Sequence, residues 1–193
     1  MKKVVLAVLG VVVLLVVFSG CGYNDLVRLD EDVKTKWAQV ETQYQRRSDL
    51  IPNLVSTVKG AAKFEQTTLT QVIEARSKAS QITVDPDKLT EENMQKYQAA
   101  QGQLSQALGR LMVLTENYPQ LKATQQFSDL SAQLEGTENR ITVARKDFND
   151  AVQVYNTKVR SFPNNLTAGI FGFSQKAAFK ADAGAQNAPK VEF

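Results

Sequence analysis

The chain has 193 residues, 43% hydrophobic and 22% charged, with 10 glycines and 5 prolines; this suits one helical domain plus an appendage and excludes a disordered chain. Its 23 basic and 20 acidic residues leave a formal charge of +3, two of those positives being Lys2 and Lys3, so the composition gives no electrostatic footprint for nucleic acid. Histidine is absent and Cys21 is the single cysteine, which excludes Ser-His and Cys-His nucleophile pairs, an internal disulfide and most zinc sites.

The amino terminus reads MKK, then VVLAVLGVVVLLVVF, a positive n-region followed by an apolar h-region. As a helix the run from Val4 to Phe18 rises roughly 23 Å, short of the ~30 Å hydrocarbon core, so a transmembrane helix is feasible only with bilayer thinning. Residues 1–20 are therefore expected to be a lipoprotein signal peptide or an uncleaved signal anchor, with plain secretion a third reading. Both anchored readings leave the lysines in the cytoplasm and the bulk of the chain on the periplasmic or extracellular side. Phe18-Ser19-Gly20-Cys21 resembles the lipobox of bacterial lipoproteins, with Phe18 where leucine is commonest. That resemblance implies lipidation of Cys21, and two or three acyl chains at ~0.8 kcal/mol per buried CH₂ would hold the chain stably on a membrane.

From Leu26 the apolar residues Leu29, Val33, Trp37, Val40, Tyr44, Ile51, Leu54, Val58 and Ala61 keep helical spacing, with Arg47 in the seam slot between Tyr44 and Ile51. Pro52 lies inside this pattern and predicts a kink. A second stripe runs through Leu69, Val72, Ile73, Ala75 and Ala79 to Ile82, and Thr83-Val84-Asp85-Pro86-Asp87 breaks the chain. Thr90 before Glu91 and Glu92 predicts an N-cap with an acidic first turn, opening a stripe of Met94, Tyr97, Leu104, Leu108 and Leu111. After Glu116-Asn117-Tyr118-Pro119, the last stripe carries Leu121, Phe127, Leu130, Leu134, Ile141, Ala144, Phe148, Val152, Tyr155, Val159 and Phe162. No period-two run suggests a strand.

The class is all-α. The expected architecture is a long-helix antiparallel, up-down four-helix bundle over residues 21–162, with helices at 24–62, 66–82, 90–117 and 121–161. The remaining residues, 163–193, are expected to form an irregular apolar tail on the bundle or the membrane. Antiparallel first and last helices place Leu26 near Val159 and bring Arg47 beside Glu135 and Glu138. A guanidinium in the seam needs a carboxylate, because burying it unpaired costs several kcal/mol. Arg46 or Arg47 is therefore expected to pair with Glu135 or Glu138, against the alternative of solvated arginines or a local pair with Asp49. In the tail, Ile170, Phe171 and Phe173 belong to the most apolar stretch after the amino terminus, and packing, lipid contact and a partner remain open for it.

Several motifs resemble the LemA family: Tyr23-Asn24-Asp25-Leu26-Val27, Trp37-Ala38-Gln39-Val40-Glu41, Gln45-Arg46-Arg47-Ser48-Asp49-Leu50-Ile51-Pro52-Asn53-Leu54-Val55, Glu135-Gly136-Thr137-Glu138-Asn139-Arg140-Ile141 and Phe162-Pro163-Asn164-Asn165. The resemblance implies a membrane-attached helical bundle, and little chemistry. The Ser-Gly-Cys here departs from the plain transmembrane segment that family members often use. The expected function is a non-enzymatic, membrane-anchored envelope protein acting as an interaction or scaffolding module, without catalytic, metal or cofactor-binding residues. Its partners are the membrane and an unidentified protein, with a homo-oligomer left open. The alternatives are a self-assembling structural protein that organises a membrane, and a carboxylate enzyme acting on cell-wall polymer through Glu135 and Glu138.

Overall fold

A computed structural model describes residues 1–60 and 65–180, and their side chains except those of 2–9 and 11–21. Among the described residues six helices follow in order: α1 (Lys2–Lys59), α2 (Gln66–Gln81), α3 (Glu91–Thr115), α4 (Pro119–Lys122), α5 (Gln125–Arg160) and α6 (Asn164–Phe171). Among the described residues there is no strand, and no helix is long and apolar enough to cross a membrane. The run from Val4 to Phe18 falls almost wholly on side chains outside that set, as does Cys21. Ala61 of the expected seam lies outside the described residues.

The local rules act where the sequence puts them. Thr90 caps α3, its hydroxyl accepting from the Asn93 N–H at 3.3 Å, and Glu91 and Glu92 occupy the first turn. Pro119 opens α4, where its missing N–H leaves no helical bond unmade. Pro52 is carried inside α1, which continues to Lys59. The long final helix begins later than expected: Thr124 caps α5 by accepting from the Phe127 N–H, and the single turn of α4 stands apart.

The chain runs up in α1, down in α2, up in α3 and down in α5. Asp25 reaches Lys158 at 2.8 Å and Arg47 reaches Glu138 at 2.9 Å, which fixes α1 and α5 as antiparallel in the expected register. Two apolar clusters fill the interior. One gathers Leu26, Val33, Trp37, Val40 and Tyr44 of α1 with Ile141, Phe148, Val152, Tyr155 and Val159 of α5, the 82–90 loop and Phe179. The other gathers Ile51, Leu54 and Val58 with Leu69 and Val72 of α2, Leu104 and Leu111 of α3, and Phe127, Leu130 and Leu134 of α5.

The architecture departs from a uniform four-helix bundle. The four long helices α1, α2, α3 and α5 meet only around the second cluster, which Leu121 of α4 also joins, because α2 stops at Gln81. Beside the first cluster that fourth place is taken by Val84 and Leu89 of the loop and by an extended strap, residues 173–180. The expected irregular tail thus begins with a helix, α6, and continues as the strap to residue 180; its remainder, 181–193, lies outside the described residues. Two stripe residues also turn outward: Ile73 is exposed, and Phe162 stands 80% exposed beyond the end of α5. The helical period holds only while the helix lasts, and Arg160 is its last residue.

Candidate functional site

Two features stand out from the apolar packing: a polar layer across the bundle and a strapped end. The layer lies between the two clusters. Arg47 is 1% exposed, the only fully buried charged side chain among the described residues. Its Nη1 donates to Ser105 Oγ at 2.7 Å and to Glu138 Oε2 at 2.9 Å; its Nη2 donates to Gln101 Oε1 at 2.8 Å and to the Gln101 carbonyl at 3.3 Å. The guanidinium also sits 5.0 Å from the Tyr44 ring centroid. Nε is buried without a hydrogen-bond partner among the described residues.

Ser48 extends the layer to α2, with Ser48 Oγ and Ser80 Oγ 3.2 Å apart and Arg76 Nε donating to the Ser48 carbonyl at 2.8 Å. Thr137 is buried on α5 and returns its hydroxyl to the Gln133 carbonyl. A slip of one helical turn would leave Arg47 among leucines, and the cost of an unpaired buried charge makes the layer a register lock.

Of the four residues expected in the polar network, the structure brings together Arg47 and Glu138. Arg46 and Glu135 are exposed and lie outside the Arg47 contacts described above. A depression of about 530 Å³ beside the layer is lined by Gln95, Gln98, Gln103, Gln106, Glu138 and Arg145 among others. Its one carboxylate is committed to Arg47. Burial holds the Tyr97 phenol far above its ordinary range and pushes Tyr155 up to about 12, so both stay neutral hydroxyls near pH 7. Among the described residues no cluster of His, Cys, Asp and Glu suits a metal ion.

The strap is held by a device that the sequence reading missed. Asn156 donates to the Lys176 carbonyl at 2.8 Å and accepts from the Lys176 N–H at 2.9 Å. Asn149 does the same for Phe179, at 3.1 and 2.9 Å, and Gln98 for Lys180, at 2.8 and 3.3 Å. Each side-chain amide replaces both partners that a neighbouring strand would give. The spacing is commensurate: seven helical residues from Asn149 to Asn156 advance ~10.5 Å, and three extended residues from Lys176 to Phe179 span ~10 Å. Phe179 then stacks 6.0 Å from Trp37, meets Phe148 edge-on at 5.6 Å and lies under Arg145 at 4.6 Å. Lys176 is buried and pairs with Asp30 at 2.9 Å. The available signal was the pair Asn149 and Asn156, each one residue past a seam aromatic, Phe148 and Tyr155.

At the same end, α6 turns back against the base of α1. A Cβ on Gly22 would stand 2.7 Å from Asn164 Oδ1, so the two helices meet where α1 carries no side chain. Tyr23 contacts Phe171 at 4.8 Å and Phe173 at 5.8 Å. Thr167 and Ala168 are buried, Phe173 is half-buried, and Ile170 and Phe171 are exposed at 78% and 56%.

Sequence comparison agrees with the motifs. The profile of the LemA family matches residues 36–193, so the Tyr23 to Val27 motif lies ahead of the matched span. Magnetosome protein MamQ 2 of Paramagnetospirillum magneticum is 27% identical over 175 residues, covering 82% of this chain and 64% of the relative. Magnetosome protein MamQ of Magnetospirillum gryphiswaldense is 26% identical over 174 residues, covering 81% and 64%. Protein LemA of Metamycoplasma hominis is 25% identical over 158 residues, covering 82% and 68%. The chain thus spans about 64% of the length of the magnetosome relatives it matches. With the family profile covering most of the bundle, the polar layer and the strap, this chain belongs to the LemA family.

Proposed function

We propose that the protein is a non-enzymatic, membrane-anchored envelope protein that works as an interaction and scaffolding module. The observation that carries this is how the buried polar groups are spent. The Arg47 layer and the strap clamps are directed at the chain's own helices and backbone, and Glu138, the one acid lining the depression beside the layer, is bound to Arg47. What the molecule offers outward is helix surface. The 36 residues of α5 extend ~54 Å from the end where α1 continues into the apolar run. That run, with or without a lipid on Cys21, is the anchor, and the bundle lies on the non-cytoplasmic side. The names of the magnetosome relatives favour a role at a specialised membrane compartment over cell-wall chemistry.

The test uses the full chain in its native host. It is expected to stay with membranes after alkaline carbonate washing, and to yield to protease added on the non-cytoplasmic side. Recovery in the soluble fraction would reject anchoring. Mass spectrometry of the mature amino terminus separates the anchors: a diacylglycerol on Cys21 marks a lipoprotein, and retained Met1 an uncleaved helix. Light scattering in detergent separates a monomeric module from a self-assembling one.

A further inference from the structure

Among the described residues, most exposed large apolar side chains fall into two kinds. Ile73, Val113, Val143 and Val154 stand singly on helix faces, whereas Phe162, Leu166, Ile170 and Phe171 crowd together around α6. We propose that this end is a lipid-interface foot. In it, α6 lies in the headgroup region of an anionic bilayer with Leu166 and Ile170 inserted and Phe171 at the rim beside Tyr23, and the bundle stands upright on it. The proposal rests on the membrane-anchored reading above and adds where, and through which residues, the folded domain meets lipid.

Four observations support it. First, the amphipathy of α6 is completed from outside: Thr167 and Ala168 face the bundle, while Leu166 and Ile170, one turn apart, face away. Second, the outward face is built rather than frayed. Asn164 abuts Gly22 before it; Gly172, at φ 78°, closes the helix; and the strap is clamped again at Lys176. Third, the surrounding charge suits anionic headgroups. No acid occurs between positions 156 and 173, a stretch that carries Lys158 and Arg160, with Lys158 paired to Asp25. Fourth, Gly22, against which α6 packs, directly follows the amino-terminal segment on the same helix. Whatever receives that segment receives α6, and interfacial helices of this composition sit ~5–10 Å into the headgroup boundary.

The experiment places an environment-sensitive fluorophore by bioorthogonal chemistry at position 166, 170 or 113 of the full chain purified from membranes, leaving Cys21 native. The chain is reconstituted in vesicles of phosphatidylglycerol and phosphatidylcholine. Labels at 166 and 170 are expected to shift to the blue and to be quenched several-fold more than the label at 113 by lipids carrying a nitroxide near the headgroup. Chain that floats with the vesicles while its 170 label stays as wet as the 113 label would overturn the foot and leave the anchor standing. Chain that does not float would sink the anchored reading and the foot with it. Energy transfer between 170 labels on two copies in lipid-free detergent would assign the face to a second copy. A 170 label that is shielded in the vesicles yet not quenched by the nitroxide lipids would assign it to the chain's own residues 181–193. Either result overturns the proposal.

Discussion

The two apolar clusters on either side of Arg47 are built differently. The half lined by α2 is almost wholly aliphatic, and each member comes from a helix or the turn beside it. The strapped half is aromatic, with Trp37 near Tyr97, Phe148 and Phe179, and a third of its wall is loop and extended chain. Helix periodicity alone closes the first half. The second needs amide clamps and ion pairs to hold backbone that forms no helix, because every buried N–H and C=O must find a partner.

The sharpest way to break that comparison is Phe179→Ala. Removing a buried ring that touches Trp37 and Phe148 is expected to cost about 3–5 kcal/mol in chemical denaturation. Hydrogen exchange is expected to rise in residues 173–180 and around Trp37, and to stay unchanged near Leu111. Equal loss of protection in both halves would mean they unfold as one unit and the strap is ordinary core.

A middle-sized effect tests the layer between them. Glu138→Ala leaves Arg47 with Gln101 and Ser105 but no carboxylate, and is expected to cost about 1–2 kcal/mol, since a charge-assisted bond is partly exposed to water here. Glu135→Ala, three residues away and outside the Arg47 contacts, is expected to stay within about 0.5 kcal/mol of the parent. If both acids cost the same, the layer does not act through Arg47.

The smallest effect sharpens the electrostatic difference. Lys158 hydrogen-bonded to Asp25, and Lys34 to Asp87, hold those two carboxyls below their ordinary range. A carboxyl whose folded value is depressed contributes stability above its unfolded value of about 3.9, and loses it as pH falls through the folded value. Lys34 is raised, first by Asp87 and then by Asp30, so its contribution is complete below about 10.4 and lost only as pH rises through the folded value. The melting temperature of the strapped half is therefore expected to be flat from about pH 5 to 9 and to fall in acid. Asp87→Asn is expected to reduce that fall, and an unchanged acid limb would remove the ion pairs from the account.

Much of the candidate site was legible because its rules are local or nearly so. The seam from Leu26 to Val58 is buried as its spacing requires, except Leu29, which is half-buried. Arg47 broke that seam, and a charge in an apolar slot demands a carboxylate on the facing helix; the antiparallel register then supplied Glu138. The seam spacing separated Arg47 from Arg46, but Glu135 and Glu138 flank the Leu134 to Ile141 stripe alike, and only the packed register decides which one reaches the guanidinium. The order of the tail is not legible in sequence for a related reason. An eight-residue helix with its apolar face outward carries no signal that separates it from a loop, and residues 173–180 have no period at all.

By itself, then, the sequence determined the long helices, their order and antiparallel sense, the cap at Thr90, the turn at 116–119, and the need for one buried ion pair. These follow from a 3.6-residue period and from the cost of unpaired charge, both of which act over a few residues or across one interface. The tertiary structure decided what closes the strapped half. Asn149, Asn156 and Gln98 look like ordinary surface amides until the strap arrives, and Lys176 like a solvated lysine until Asp30 and a wall of aromatics enclose it. Their partners lie 20 to 82 residues away in the chain, or more, and no local pattern encodes a hydrogen bond to backbone at that distance.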